Sequence, residues 1–168
     1  MGICCTDGVV LGVEKLVPFK MLEPSSNRRI FNADRHVGIA VAGWQPDGRK
    51  MVNKAREEAQ SYYSFYGNRI PAHSLVERLS LRFHYYTMYW SMRALGTSLL
   101  VGVYDEFGPS LHMIEPSGEV NGYYGIAIGK GKQAAKTELE KLSLDKMTCK
   151  EAVQHIARMF SNSFFFLN

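Results

Sequence analysis

Apolar and polar residues alternate along the chain with two different periodicities, and the segments that have each periodicity predict the secondary structure. Short apolar runs with a two-residue repeat, bounded by glycine or polar turns, are typical of strands. Repeats of three and four residues are typical of amphipathic helices. The pattern predicts strands over 2–5, 9–13, 29–32, 36–43, 98–104, 110–114, 119–124 and 125–129, and helices over 47–66, 71–95, 132–142 and from 148 onward.

The segment 36–43 is apolar on both faces of its predicted strand. Large residues occupy one face (Val37, Ile39, Val41) and small residues the other (Gly38, Ala40, Ala42). A strand that is apolar on both faces is typically covered on both sides. We therefore expect this strand to be buried between two layers, with its small face allowing one of them to approach closely.

The helices carry clear boundary signals. Gly67 is expected to end the first, and Pro71 suits the first position of the second. The second is expected to run until Gly96 with an apolar stripe formed by Leu75, Leu79, Phe83, Tyr86 and Trp90. Thr148 and Glu151 have the spacing of a capping box at the start of the last helix.

This order of strands, a helix pair, strands and another helix pair predicts an α+β fold. Each sheet must cover both of its apolar faces, so the economical arrangement is two packed sheets with helices outside, a four-layer αββα sandwich. We find no internal repeat and no linker. Residues 2–160 are therefore interpreted as one domain, and residues 161–168 as an atypical C-terminal tail.

Composition narrows the class of protein. Of the 168 residues 46% are hydrophobic, which suits a globular core, and the net charge of +4 is spread along the chain. We expect no nucleic-acid surface, which usually appears as a basic cluster, and no apolar run is long enough to cross a membrane. The three cysteines, an odd number that includes the adjacent Cys4 and Cys5, favour a reducing compartment.

Several separated motifs carry a family resemblance. They are the turn Glu115-Pro-Ser-Gly118 between strands, the segment 125–140 with its strand-to-helix glycines, the hairpin 27–43, and the run 7–15. Together they resemble the alpha-type subunits of the proteasome core particle, over roughly residues 2–159. The resemblance implies the sandwich of the N-terminal-nucleophile hydrolases. It also implies that the fold is incomplete at both termini, so that gating and stable assembly by this segment alone are not expected.

The function implied by the resemblance is that of a non-catalytic structural subunit in the outer ring of the 20S core. Its expected work is assembly and regulator docking in ubiquitin-dependent protein degradation, in the cytoplasm and nucleus. The expected partners are other alpha subunits, beta-ring subunits and the regulatory particle or other activators. No cofactor and no membrane or nucleic-acid partner is expected.

The resemblance also permits a test for catalysis. Catalytic members of the family use an N-terminal threonine with an aspartate and a lysine. Here Thr6 falls in the turn after the first strand, Glu14 stands at the aspartate position and Arg29 at the lysine position. Arginine stays charged and cannot relay protons near neutral pH. We therefore expect no catalytic residues and no peptidase activity.

Two sets of residues are candidates for binding. Arg28 and Arg29 fall where alpha subunits commonly line a pocket that accepts the C-terminal carboxylate of activator tails, and a guanidinium suits a carboxylate. The alternative is that they are solvated or ring-contact arginines. Aromatic residues on the long helices are either core or ring contacts, and the ring-interface candidates are Tyr62, Tyr63, Tyr85 and Trp90.

Three alternatives remain open from the sequence. The first is an active N-terminal-nucleophile hydrolase. The second is a lipid-anchored accessory protein, because residues 1–6 fit an acylation pattern. The third is a truncated, non-functional or regulatory isoform. The segment Gly129-Lys-Gly-Lys-Gln-Ala134 fits a relaxed dinucleotide fingerprint but lacks the βαβ context of such a site. No Cys/His spacing resembles a zinc site, so no metal is expected.

Overall fold

Two antiparallel sheets lie face to face, and each is covered on its outer side by a pair of helices. The computed structural model describes residues 1–15, 17, 19–23 and 25–165, with side chains up to residue 161. The helices are α1 (Gln45–Tyr66), α2 (Ala72–Met88), α3 (Lys132–Leu139) and α4 (Cys149–Phe165), with a short 3₁₀ turn at Leu144–Lys146. The predicted α+β sandwich is confirmed.

Five strands form the larger sheet and three form the smaller one. The larger sheet has the order β3-β4-β5-β6-β7, formed by Ile30–Asp34, Val37–Gly43, Thr97–Asp105, Gly108–Ile114 and Val120–Gly122. The smaller sheet has the order β2-β1-β8, formed by Gly8–Leu11, Gly2–Cys5 and Gly125–Ile126. The last strand is shorter than predicted, because the backbone leaves the ladder after Ile126 and reaches Gly129 with a φ of 101°.

Three layers of apolar side chains separate the four layers of backbone. The largest lies between α1, α2 and the larger sheet, and includes Ile39, Met51, Leu79, Phe83 and Leu99. The layer between the two sheets includes Ala40, Leu100, Leu111, Met113 and Ile126. The third, between the smaller sheet and α3 and α4, includes Ile3, Cys5, Leu139, Ala152 and Ile156.

The prediction for β4 is confirmed on both faces. Val37, Ile39 and Val41 pack under the helices, while Ala40 faces the other sheet. Glycines make room for that sheet, since a β-carbon on Gly102 would lie 2.8 Å from Val9 Cγ1.

The end of α2 differs from the prediction. Pro71 precedes the helix rather than beginning it, and the helix stops at Met88, with Tyr89 in an extended conformation. Trp90 is 98% exposed, so its assignment to the apolar stripe is wrong, whereas Phe83 is fully buried and Tyr86 packs against the core. The helix therefore ends well before Gly96, and residues 89–96 lead back to α1, where the Gly96 N–H donates to Asp47.

A carboxylate-guanidinium pair holds this turn in place. Arg93 donates from Nη1 to Asp47 Oδ2 at 2.6 Å and from Nη2 to Asp47 Oδ1 at 2.8 Å. The Gly96 N–H also donates to Asp47 Oδ2, at 3.0 Å, and the Arg93 guanidinium lies 5.0 Å from the Trp44 ring centroid. The hydrogen bonds from Arg93, followed by that from Gly96, lower the pKa of the buried Asp47 carboxyl.

The predicted capping box begins α4. The Thr148 N–H donates to Glu151 Oε2 at 3.0 Å, and the Glu151 N–H donates to Thr148 Oγ1 at 3.5 Å. The helix then continues to Phe165, past the predicted boundary at residue 160. Residues 166–168 lie outside the described residues, so a separate tail over 161–168 stays a prediction.

The acylation-like segment is part of the fold. Gly2–Cys5 form the central strand of the smaller sheet, and Gly2 and Ile3 are buried. An acylated Gly2 would have to leave this strand, so the structure does not support the lipid-anchor alternative. Among the described residues, no helix combines the length and apolar character needed to span a membrane.

Replacing Phe83 with alanine is expected to lower the free energy of unfolding by about 3–5 kcal/mol, because the cavity would lie in the fully buried layer under α2. Urea denaturation measures the loss. Leu81→Ala, on the same helix but 62% exposed, is the control and should change stability by about 0.5 kcal/mol or less. Equal losses in the two variants would contradict the assigned core.

Asp47→Asn is expected to lower the melting temperature by a few degrees near neutral pH. The folded-state pKa of Asp47 is lowered, so its stabilising effect is present above the unfolded value near about pH 4 and is lost as pH falls through the folded value. The gap between wild type and variant should therefore narrow in acid. Exposed Asp145→Asn is the control. A gap that stays constant into strong acid would contradict this assignment.

Candidate functional site

The side-chain hydroxyl of Thr6, which follows the first strand, donates a hydrogen bond to the backbone. Thr6 lies in the turn between β1 and β2, where its N–H donates to the Met147 carbonyl at 3.1 Å and its Oγ1 to the same oxygen at 3.4 Å. A weakly acidic alcohol needs an adjacent base to become a nucleophile. Thr6 instead ties the turn to the segment that precedes α4.

Arg29 is hydrogen-bonded to Glu14, but to its backbone carbonyl rather than to its carboxylate. Arg29 Nη1 donates to the Glu14 carbonyl oxygen at 3.1 Å, and the Arg29 backbone carbonyl accepts from the Val41 N–H at 2.9 Å. Arg29 Nε is buried and has no hydrogen-bond partner among the described residues. A guanidinium held in this way is a fixed positive charge that connects the segment after β2 to β3.

Arg28 differs from its neighbour. Its side chain is exposed, whereas Arg29 is half-buried and bound within the chain. The structure therefore separates the two pocket candidates. Arg28 presents its guanidinium to solvent, where a carboxylate from another molecule could reach it.

The outer side of the two long helices carries most of the predicted interface residues. We call this the helix-pair surface, and define it by Tyr63, Leu81, Tyr85, Met88, Tyr89 and Trp90. Tyr63 is 59% exposed and Tyr85 39% exposed. Tyr62 lies at its border, since it is half-buried against the core and the Arg78 guanidinium lies 5.6 Å from its ring centroid.

Charged residues lie beside these apolar side chains. Glu58 Oε2 accepts from Arg78 Nη1 at 3.0 Å, and Glu58 Oε1 lies 3.5 Å from Arg82 Nη2. These three residues, with Leu81 and Tyr85, line a depression of about 300 Å³. The Glu58 carboxylate thus holds Arg78 and Arg82 at the edge of the depression.

Aromatic rings extend from this depression toward the end of α2. The Tyr85 and Tyr89 ring centroids are 4.6 Å apart, and Trp90 follows in the exposed segment. Exposed apolar and aromatic side chains beside charged residues are typical of protein–protein contact surfaces, in which Tyr, Trp and Arg are enriched. The arrangement suits binding of another protein.

Sequence reasoning missed two groups that the fold brings together. Asp47 and Arg93 are 46 positions apart, and Asp7 and Cys149 are 142 apart, yet each pair is hydrogen-bonded. Spacing rules for caps and metal ligands examine near neighbours in sequence, so they give no signal for either pair. Only the sheet-and-helix arrangement reveals them.

Comparison with known proteins agrees with this fold. Residues 1–165 match the family described as "Proteasome subunit". A protein named "Proteasome subunit alpha type-3" from Arabidopsis thaliana is 54% identical over 159 residues, which cover 95% of this chain and 64% of that protein. Its namesake from Spinacia oleracea is 51% identical with the same coverage.

A fungal relative extends the comparison. The "Probable proteasome subunit alpha type-7" of Schizosaccharomyces pombe is 45% identical over 159 residues, covering 95% of this chain and 63% of that protein. The chain therefore spans a little less than two thirds of the length of the relatives it matches. With a match to the family over residues 1–165, the chain belongs to the proteasome subunit family, among its alpha-type members.

Proposed function

We propose that this protein is a non-catalytic structural subunit in the outer alpha ring of a 20S proteasome core. Its work there is to hold neighbouring alpha subunits and the beta ring and to help dock regulators for ubiquitin-dependent protein degradation. The relatives' names place them among alpha-type proteasome subunits. Localisation to the cytoplasm and nucleus is part of the proposal.

The observation that carries the proposal is the helix-pair surface, where exposed aromatic and aliphatic side chains lie beside the depression formed with Glu58, Arg78 and Arg82. Three of its large apolar side chains are mostly exposed: Leu81 is 62% exposed, Met88 64% and Trp90 98%. Burying them in a subunit contact would remove apolar area from water, at about 25 cal/mol per Å² before the costs of association.

The chemistry around the first strand supports a structural rather than a catalytic role. The Thr6 hydroxyl donates to a backbone carbonyl, and a permanently charged arginine bonds the backbone of Glu14. An active enzyme of this type would need a nucleophile with a base in hydrogen-bond reach. Labelling with a threonine-directed covalent inhibitor is therefore expected to leave this chain unmodified.

The Arg28 side chain is the proposed contact for regulators. It is exposed just before β3, next to the internally bound Arg29. A charge-assisted bond from a guanidinium to a terminal carboxylate is roughly twice as strong as a neutral one. Arg29 would support this contact by holding the loop backbone, and the pocket itself would be completed by the adjacent subunit.

Trp90→Ala is expected to reduce recovery of other alpha and beta subunits about tenfold or more, because buried interface aromatics often carry roughly 2 kcal/mol. The gene is tagged at its own locus, and quantitative mass spectrometry measures the co-purified subunits and the length of the tagged protein. Phe107→Ala is the matched control, since Phe107 is 84% exposed at the β5–β6 turn, off the helix-pair surface.

Equal recovery with both variants would contradict the interface. Absence of proteasome subunits from the wild-type preparation would contradict the proposed function itself.

Arg28→Gln is expected to weaken binding of a peptide with an activator-tail sequence to purified particles about tenfold, because one charged hydrogen bond is lost. Fluorescence anisotropy measures the affinity, and the same peptide with an amidated C-terminus should be insensitive to the change. Arg49→Gln, which alters an exposed arginine of α1, is the control. Unchanged affinity in Arg28→Gln particles would remove Arg28 from the pocket.

A further inference from the structure

Three side chains with metal-binding atoms meet where the first hairpin touches the last helix. Cys5 ends β1, Asp7 lies in the following turn and Cys149 begins α4. One ligand atom from each, two sulfurs and a carboxylate oxygen, lies within 4.8 Å of the others. We call this group the Cys5–Asp7–Cys149 cluster.

Hydrogen bonds from neighbouring backbone fix the cluster. The Cys149 N–H donates to Asp7 Oδ1 at 2.7 Å, and the Thr6 N–H donates to the Met147 carbonyl at 3.1 Å. These bonds join the hairpin turn to the segment 147–149 at the start of α4. Ligands held by such outer contacts bind a metal with less reorganisation.

Glycine at position 8 leaves space for one of the sulfurs. A β-carbon on Gly8 would lie 3.0 Å from Cys149 Sγ, closer than ordinary van der Waals contact. Gly8 pairs with Cys5 across the hairpin, so the absence of a side chain there lets the Cys149 sulfur lie against the strand pair. The Cys149 sulfur is therefore positioned by the start of α4, which carries it, and by Gly8 of β2, against which it lies.

Burial and charge suit a cation. Cys5 is 3% exposed, Cys149 is half-buried and Asp7 is exposed, so an ion can reach the sulfurs past the carboxylate. A carboxylate beside two sulfurs provides negative charge that a divalent cation neutralises. Cys5 and Cys149 are both free cysteines, so both sulfurs are available as ligands.

We propose that Cys5, Asp7 and Cys149 bind a borderline-soft divalent cation of the zinc type, with water as the fourth ligand. Zinc takes cysteine sulfur at about 2.3 Å and carboxylate oxygen at about 2.0–2.2 Å, so tetrahedral ligands lie roughly 3.4–3.8 Å apart. A pair of ligand atoms at the 4.8 Å limit would have to approach by about 1.0–1.4 Å to reach that geometry. The two thiols release one proton each as they become thiolate ligands.

Cobalt(II) is the probe, because it takes the same ligands and gives a thiolate-to-cobalt charge-transfer band in the near ultraviolet. The full 168-residue chain is kept reduced with a phosphine and titrated with cobalt chloride. We expect the band to saturate at one cobalt per chain and to disappear when zinc chloride is added. Magnesium chloride should not displace the cobalt, because magnesium prefers oxygen ligands.

Variants distinguish cobalt binding at the Cys5–Asp7–Cys149 cluster from cobalt binding at the remaining thiol, Cys4. Cys149→Ser should abolish the band. Asp7→Asn keeps an oxygen to accept the Cys149 N–H while removing the charge, so it should remain folded and weaken cobalt binding about tenfold or more. Cys4→Ser is the matched control, because Cys4 Sγ donates to the Pro109 carbonyl at 3.4 Å and packs in the layer between the sheets.

Several results would overturn the proposal. They are a folded, reduced chain that gives no charge-transfer band, a band that survives in Cys149→Ser, and a band lost in Cys4→Ser. Circular dichroism confirms that each variant is folded before the titration is interpreted. An intramolecular Cys5–Cys149 disulfide in the untreated protein, without cobalt binding after reduction, would replace the metal site with a redox pair.

Discussion

The close approach of the two sheets is the constraint on which the other layers depend. Val9 and Leu11 of the smaller sheet occupy space left by glycines of β4 and β5, where β-carbons would lie 2.8 Å from Val9 at Gly102 and 3.3 Å from Leu11 at Gly38. Side chains at these glycines would force the sheets apart and open voids in a layer that is otherwise close-packed. With the sheets fixed, their outer faces remain apolar and must be covered by helices.

The two outer layers meet this requirement differently. On the larger sheet, α1 and α2 bury Met51, Leu79 and Phe83 inward while presenting exposed aromatic residues outward. On the smaller sheet, α3 buries Ala135 and Leu139, and its outer side is charged, with Lys141 Nζ 2.6 Å from Glu138 Oε1 at its end. The outer side of α1 and α2 carries exposed aromatic and aliphatic residues beside the Glu58, Arg78 and Arg82 charges, which suits contact with a partner, and the assembly proposal rests on that pair.

Patterns that repeat within a few residues were predictable from the sequence. The two faces of β4, the capping box at Thr148 and the glycine end of α1 all depend on near neighbours, and the structure confirms each. The extension of α2 to Trp90 was wrong because the four-residue spacing of Tyr86 and Trp90 continues past the point where the backbone turns. That turn depends on Asp47, which is remote in sequence. The interface and pocket candidates stay predictions, since they concern contacts with other chains.

Remote carboxylates explain what local rules could not find. The first N–H groups of a helix lack partners within the helix, and acids satisfy them well. At α2 the Ala72 N–H donates to Asp105 Oδ2 at 2.9 Å, across 33 positions, and at α4 the Cys149 N–H donates to Asp7 Oδ1 at 2.7 Å. Asp105 and Asp7 come from the ends of strands, so each of these bonds sets a helix against its sheet. At α4 the same contact brings two sulfurs beside a carboxylate, so a bond that satisfies a helix end also assembles the proposed cation site.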